Sequence, residues 1–122
     1  MARVLQLLII VSATLCFVAP STALAQTQME MNQQAADNAK AADDALNVVY
    51  KKLVELLDEP AKAKLKVSQR EWIKFRDAEC EFAEDEYRGG SIRPLIYWTC
   101  QKRLTEARTA ELREHIKSRT EH

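Results

Sequence analysis

Residues able to do chemistry are few in this chain, and their spacing restricts them further. Only two histidines occur, His115 and the C-terminal His122. Nucleophilic or acid–base catalysis needs a nucleophile held beside a base that a third group orients. Neither histidine has an obvious partner set; His115 reads as a helix surface residue and His122 as part of a fraying tail. No Cys-x-x-Cys or His-x-x-x-His pair is available to hold zinc, and the carboxylates do not have calcium-loop spacing. Gly89-Gly90 alone reads as a helix stop rather than a phosphate-cradling loop. The sequence therefore predicts no catalytic residue, no metal and no cofactor. Two other features stand out. Glu79, Glu81, Glu84, Asp85 and Glu86 crowd the turns just before Gly89-Gly90, where a helix dipole favours cations instead. They form either an acidic binding face or a solvated face partly balanced by Arg88 and Arg93. The second feature is the cysteine pair Cys80 and Cys100.

The elements that must position these residues are helices. Ala, Glu, Lys, Arg and Leu abound while glycine occurs only as Gly89-Gly90, a helical composition. From Met29 to Leu57, Ala35, Ala39, Ala42, Leu46, Val49, Leu53 and Leu56 recur at spacings of four and three, which predicts one amphipathic helix. Pro60 ends it and opens the next. The second helix carries Leu65, Trp72, Phe75 and Phe82 on one stripe and Gln69, Arg76, Cys80 and Ala83 on another, two stripes that imply two neighbours. The third opens near Pro94 and places Ile96, Tyr97, Cys100, Leu104, Ala107, Leu112 and Ile116 inward. The expected fold is all-α, a small up-down-up bundle of three main helices.

Symmetry about the two turns predicts specific pairs. Cys80 and Cys100 lie equally far from Gly90, so an antiparallel hairpin puts them at one level, with Ala83 opposite Tyr97, Phe82 opposite Trp98 and Arg76 opposite Leu104. A disulfide joining the second and third helices is expected, the alternative being two free thiols. The tight turn at Pro60 likewise brings Leu46 to Trp72, Leu53 to Leu65 and Asp43 to Arg76, an ion pair that would fix register rather than catalyse.

The N-terminus sets the compartment. Arg3 precedes a largely apolar run from Val4 to Ala19, then Pro20 and Ala23-Leu24-Ala25, the pattern of a secretory signal peptide. Cleavage after Ala25 would leave residues 26–122 as one domain, periplasmic or secreted, in an oxidising compartment that preserves the disulfide. A membrane anchor would need about 20 apolar residues; this run is shorter and broken by Gln6, Ser12 and Thr14. A lipoprotein at Cys16 would want a small residue where Leu15 stands. Removal of Arg3 leaves 17 basic against 18 acidic residues, so bulk charge does not point to nucleic acid or to an anionic membrane.

The pattern Asp43-x-x-Leu46-Asn47-x-x-Tyr50, Gln69-x-x-Trp72-x-x-x-Arg76-Asp77-x-x-Cys80, Gly89-Gly90-Ser91 and Tyr97-x-x-Cys100 with Arg108 and Leu112 resembles the LprI-like lysozyme inhibitor N-terminal domain family. The resemblance runs from about Met29 to Leu112 and marks Asp43, Trp72, Arg76 and Asp77 as a structural motif. The cysteines that relatives commonly carry near Met31-Asn32 are missing, so no second disulfide can form and the start of the first helix is expected to be looser.

By resemblance the chain is a binding protein that inhibits a lysozyme-type muramidase by occluding its cleft. Lysozymes are commonly basic, so the acidic run could steer association. The loop Arg88-Gly89-Gly90-Ser91-Ile92-Arg93 could present Arg and Ser groups to the paired carboxylates of a glycosidase cleft. The competing reading is a structural or adaptor domain of the cell envelope, holding another protein through the alanine seam Ala35, Ala39 and Ala42 or through the polar tail after Ile116.

Overall fold

The computed structural model describes residues 21–122, which form three helices, α1 (Ser21–Glu55), α2 (Glu59–Asp85) and α3 (Arg93–Thr120), in up-down-up order. Arg3, the apolar run and Pro20, on which the signal-peptide reading largely rests, and Cys16 of the lipoprotein alternative lie outside the described residues. No helix among the described residues is long and apolar enough to cross a membrane.

Local chemistry accounts for each helix. The alanine-rich α1 is laced by i,i+4 side-chain bonds, such as Gln33 to Asp37 at 2.9 Å and Lys40 to Asp44 at 2.8 Å, of the kind that support exposed helix faces. It ends at Glu55, so Leu56 falls in the turn and is exposed, contrary to the inward position its spacing suggested; Leu57 packs on the core instead. α2 starts under a side-chain cap, the Asp58 carboxylate accepting from the Ala61 amide at 3.0 Å with Pro60 in the first turn. Gly89 takes a positive φ of 81°, a backbone state that glycine enters without steric cost, and the chain turns into α3.

α3 is the central helix, packing against both α1 and α2. Leu46, Val49 and Leu53 of α1 meet Leu112 of α3 in the core, with Tyr50, Leu57, Leu65, Trp72 and Ile116 around them. Above it, Ala35, Ala39 and Ala42 are buried, so the alanine seam is used inside the bundle and offers no free face to a partner. Because α3 has two neighbours, its buried side includes Gln101, Thr105, Arg108 and Thr109, which apolar periodicity missed, whereas Ala107 is exposed.

The Cys80–Cys100 disulfide joins α2 to α3, with 5.5 Å between the Cα atoms, as the symmetry about Gly90 predicts. It also fixes the rotation of α2. At about 100° per residue, Gln69 and Arg76 lie within about 40° of Cys80 and face the bundle. Trp72 lies about 80° round, toward α1. Phe75 and Phe82 lie about 140–160° away and face solvent, 57% and 76% exposed. The expected apolar stripe is therefore split: Leu65 and Trp72 are half-buried, while the two phenylalanines are outside and Phe82 does not form a buried pair with Trp98. Trp98 packs edge-on against Tyr97 instead, their ring centroids 4.9 Å apart.

Candidate functional site

Two groups of polar residues compete for a functional reading. The first is internal and centres on Arg76, whose side chain is 13% exposed. Its Nη1 donates to Asp43 of α1 at 3.1 Å and to Thr105 of α3 at 3.4 Å, and its Nε donates to Asp77 at 2.9 Å. Gln101 Nε2 donates to Asp77 at 2.9 Å and to the Tyr97 hydroxyl at 3.1 Å. Arg108 donates to Gln69 at 3.0 Å and to Ser68 at 3.1 Å. Both guanidinium groups lie over the Trp72 ring, Arg76 at 5.1 Å and Arg108 at 6.0 Å from its centroid, within cation–π range. The Asp43–Arg76 pair predicted from the Pro60 turn is present, and the motif Asp43, Trp72, Arg76 and Asp77 ties the three helices together. No buried side-chain nitrogen or oxygen among the described residues lacks a partner, so the network is satisfied within itself. Burial pushes the Tyr97 phenol above its usual range, Asp77, Glu81 and Glu84 adding to the rise and Arg76 opposing it.

The second group is external and lies at the other end of α2. Glu79, Glu81, Glu84, Asp85 and Glu86 occupy its last turns and cap, and no basic residue stands in the last turn. The dipole at this end repels carboxylates. Arg88 donates to Asp85 at 2.7 Å and Arg93 to Glu84 at 2.8 Å; the hydrogen bond to Asp85 raises the Arg88 pKa further above its usual value. Glu79, Glu81 and Glu86 have no cation within salt-bridge distance among the described residues. The surface therefore keeps three unneutralised carboxylates, of which Glu86, at the cap, stands where the helix dipole disfavours it.

The turn between α2 and α3 sits beside this acidic end. Gly90 donates to the Tyr87 carbonyl at 2.9 Å and Arg93 to the Gly90 carbonyl at 3.3 Å. Asn32 of α1 donates to the Ser91 carbonyl at 3.0 Å, tying the corner that lacks a second disulfide. Both arginines of the candidate inhibitory loop, with Gly89, Gly90 and Ser91 between them, are directed at the chain's own carboxylates. His115 is exposed on α3 in a groove shared with Ser68, and no hydrogen bond joins the two; Ser68 serves Arg108.

The sequence matches the family described as Lysozyme inhibitor LprI over residues 19–112, a span that contains the disulfide, the Arg76 network and the acidic end of α2. The chain belongs to the LprI lysozyme inhibitor family. Among curated proteins, this LprI-family chain is 36% identical to an uncharacterized protein of Rhizobium meliloti (strain 1021), across 88% of its own length and 92% of the relative's. No solved structure matches it.

Sequence reasoning located the disulfide and the Asp43–Arg76 pair but missed Gln101, Thr105 and Thr109, whose polarity hides their burial. Thr109 was not detectable by pattern, since its hydroxyl is satisfied locally by the Thr105 carbonyl at 2.9 Å. Arg108 had a signal only in the family pattern.

Proposed function

We infer that this LprI-family chain is exported and works as a non-enzymatic binding protein, inhibiting a lysozyme-type muramidase by covering its cleft. Family membership supports the class of activity. The observation that carries the reading for this chain is the acidic end of α2, where Glu79, Glu81 and Glu86 stay without cations and Glu86 stands at the helix pole that disfavours a carboxylate. Charge left unbalanced in this way costs the fold stability and suits a partner that supplies the balance. A basic muramidase would be drawn to such a surface by long-range attraction, which raises the association rate more than it lowers the dissociation rate. A glycosidase needs its two cleft carboxylates open to substrate, so a protein seated over the cleft stops turnover without any chemistry of its own.

Export fits the same reading. Thr22 to Thr27 are exposed, so a cut after Ala25 falls in a stretch that contributes no buried residue to the bundle. The disulfide would form in the oxidising compartment where a muramidase meets the cell wall.

The test is lysis of a peptidoglycan suspension by cationic lysozymes of several types, followed by turbidity with increasing amounts of the oxidised mature protein. Stoichiometric, saturable inhibition that weakens with added salt is expected. Full lysozyme activity at large excess of the protein would reject the reading.

A further inference from the structure

Phe75 and Phe82 are the unexplained residues of this surface. Large aromatic side chains normally supply core or interface burial, each worth about 150–250 Å² of contact, yet here they stand 57% and 76% exposed on the outer flank of α2. They are seven residues apart, two helical turns or about 10.5 Å along the axis, with exposed Ala78 between them. Val67, 59% exposed, extends the row toward Pro60. By helical angle Phe75, Ala78 and Phe82 fall within about 60° of one another, and Val67 widens the row to about 80°. The fold cannot turn this stripe inward, because the Cys80–Cys100 bond holds the opposite side of α2 against α3. The carboxylates of Glu79 and Glu86 border Phe82 on one side, and Asp85 and Glu81 lie on the other.

We propose that the Phe75–Phe82 stripe is the apolar anchor of the inhibitory contact, and that it docks on a cationic muramidase whose apolar patch is ringed by lysine and arginine. This rests on the muramidase reading above and deepens it, moving the centre of the contact from the Gly89-Gly90 loop to the outer face of α2. Two facts choose this occupant. The aromatic centre with a charged rim is the usual anatomy of a protein interface, where aromatic residues carry most of the affinity. Around Phe82 the rim is acidic, with Glu79, Glu81 and Glu86 unpaired, while beside Phe75 the ammonium of Lys74 is held by Glu71. A second copy of the chain meeting the first through the same face would bring Glu79, midway between the two phenylalanines, toward its own counterpart, whereas a basic surface would neutralise all three carboxylates. The loop arginines, by contrast, are engaged with Asp85 and Glu84 and have less charge to offer.

The experiment measures Kd for a cationic c-type and a cationic g-type lysozyme with the oxidised mature chain and three variants: Phe82→Ser, Phe75→Ser with Phe82→Ser, and Val48→Ser. Val48 is an exposed apolar residue of α1 outside the proposed contact. Phe82→Ser should weaken binding by about 30-fold or more, equivalent to about 2 kcal/mol at 1.4 kcal/mol per tenfold, and the double variant by more. Val48→Ser should stay within about threefold, and all variants should keep the parent's helix content, since each residue is already exposed. If the parent binds and inhibits but Phe82→Ser and the double variant do so equally well, the anchor is elsewhere and the proposal falls while the muramidase reading stands. If the parent binds no cationic lysozyme, both fall. A parent dimer in sedimentation that Phe82→Ser converts to monomer would also overturn the proposal, assigning the stripe to self-association.

Discussion

Replacing Arg76 by alanine should be among the most damaging single changes in the bundle, because one side chain contacts all three helices. The substitution removes the bonds to Asp43, Thr105 and Asp77 and the stacking on Trp72. A hydrogen bond to a charged group contributes about 1.5–3 kcal/mol, and a partly desolvated cation–π contact about 0.5–2 kcal/mol. These do not simply add. Asp43 is half exposed and rehydrates when its partner leaves, and Asp77 keeps its bond from Gln101. A loss of about 2–3 kcal/mol is the consistent figure, which lowers Tm by roughly 10–20 °C in a domain of this size. Circular dichroism melts and urea titrations of the oxidised protein measure it. Arg76→Lys keeps the charge but not the planar fork and should recover less than half of the loss. Asp43→Ala alone should cost about 1 kcal/mol or less, as expected of a pair with one solvated member. A change below about 0.5 kcal/mol for Arg76→Ala, the level of an ordinary surface substitution, would refute the view that this network sets the helix arrangement.

Three further outcomes follow from the same geometry. Cys80→Ser should cost about 2–5 kcal/mol with helix content retained, and mass spectrometry of native exported protein should find no free thiol; two free thiols would contradict the pairing. Tyr97 should give the fold an alkaline limit. Burial and the nearby carboxylates raise its pKa above the ordinary 10.0, so the folded chain holds the phenolic proton more tightly than the unfolded one. That contribution is full below about pH 10 and is lost as pH rises through the raised value. Absorbance at 295 nm should show one late-titrating tyrosine that Tyr97→Phe removes, and a titration unchanged by Tyr97→Phe would contradict the assignment. Replacing Arg88 and Arg93 together by alanine should free Asp85 and Glu84 and speed association with a basic muramidase at low salt; slower association or faster dissociation would instead favour insertion of the loop arginines into the cleft.

The parts of this fold that sequence made legible are those set by distance along the chain. Cys80 and Cys100 are equidistant from Gly90, and Asp43 and Arg76 are placed symmetrically about the Pro60 turn, so two short connections fix both pairs. What sequence did not reveal is rotation. Phe75 and Phe82 share an apolar stripe with Trp72 in any helical reading, and hydrophobicity alone sends all three inward. The disulfide orients α2 through Cys80, and only Trp72 remains near enough to that side to reach the core. The interior of α3 was hidden for a related reason: a helix between two neighbours buries more than an apolar stripe, and here Gln101, Thr105 and Arg108 fill the extra width by bonding across it. The acidic end of α2 was legible as a charge run, but its division into paired and unpaired carboxylates required the positions of Arg88 and Arg93.

On the proposal above, a cationic muramidase binds the outer face of α2, with its aromatic stripe and unneutralised carboxylates. Backbone and side-chain NMR of the isotope-labelled, oxidised mature chain, titrated with unlabelled cationic lysozyme, tests it most directly. The Phe75 and Phe82 ring signals and the amides of Glu79 to Glu86 should shift or broaden first and saturate together, while Val48 and the rest of the outer face of α1 stay in place. Saturable shifts confined to α1, or a spectrum that lysozyme leaves unchanged, would contradict it.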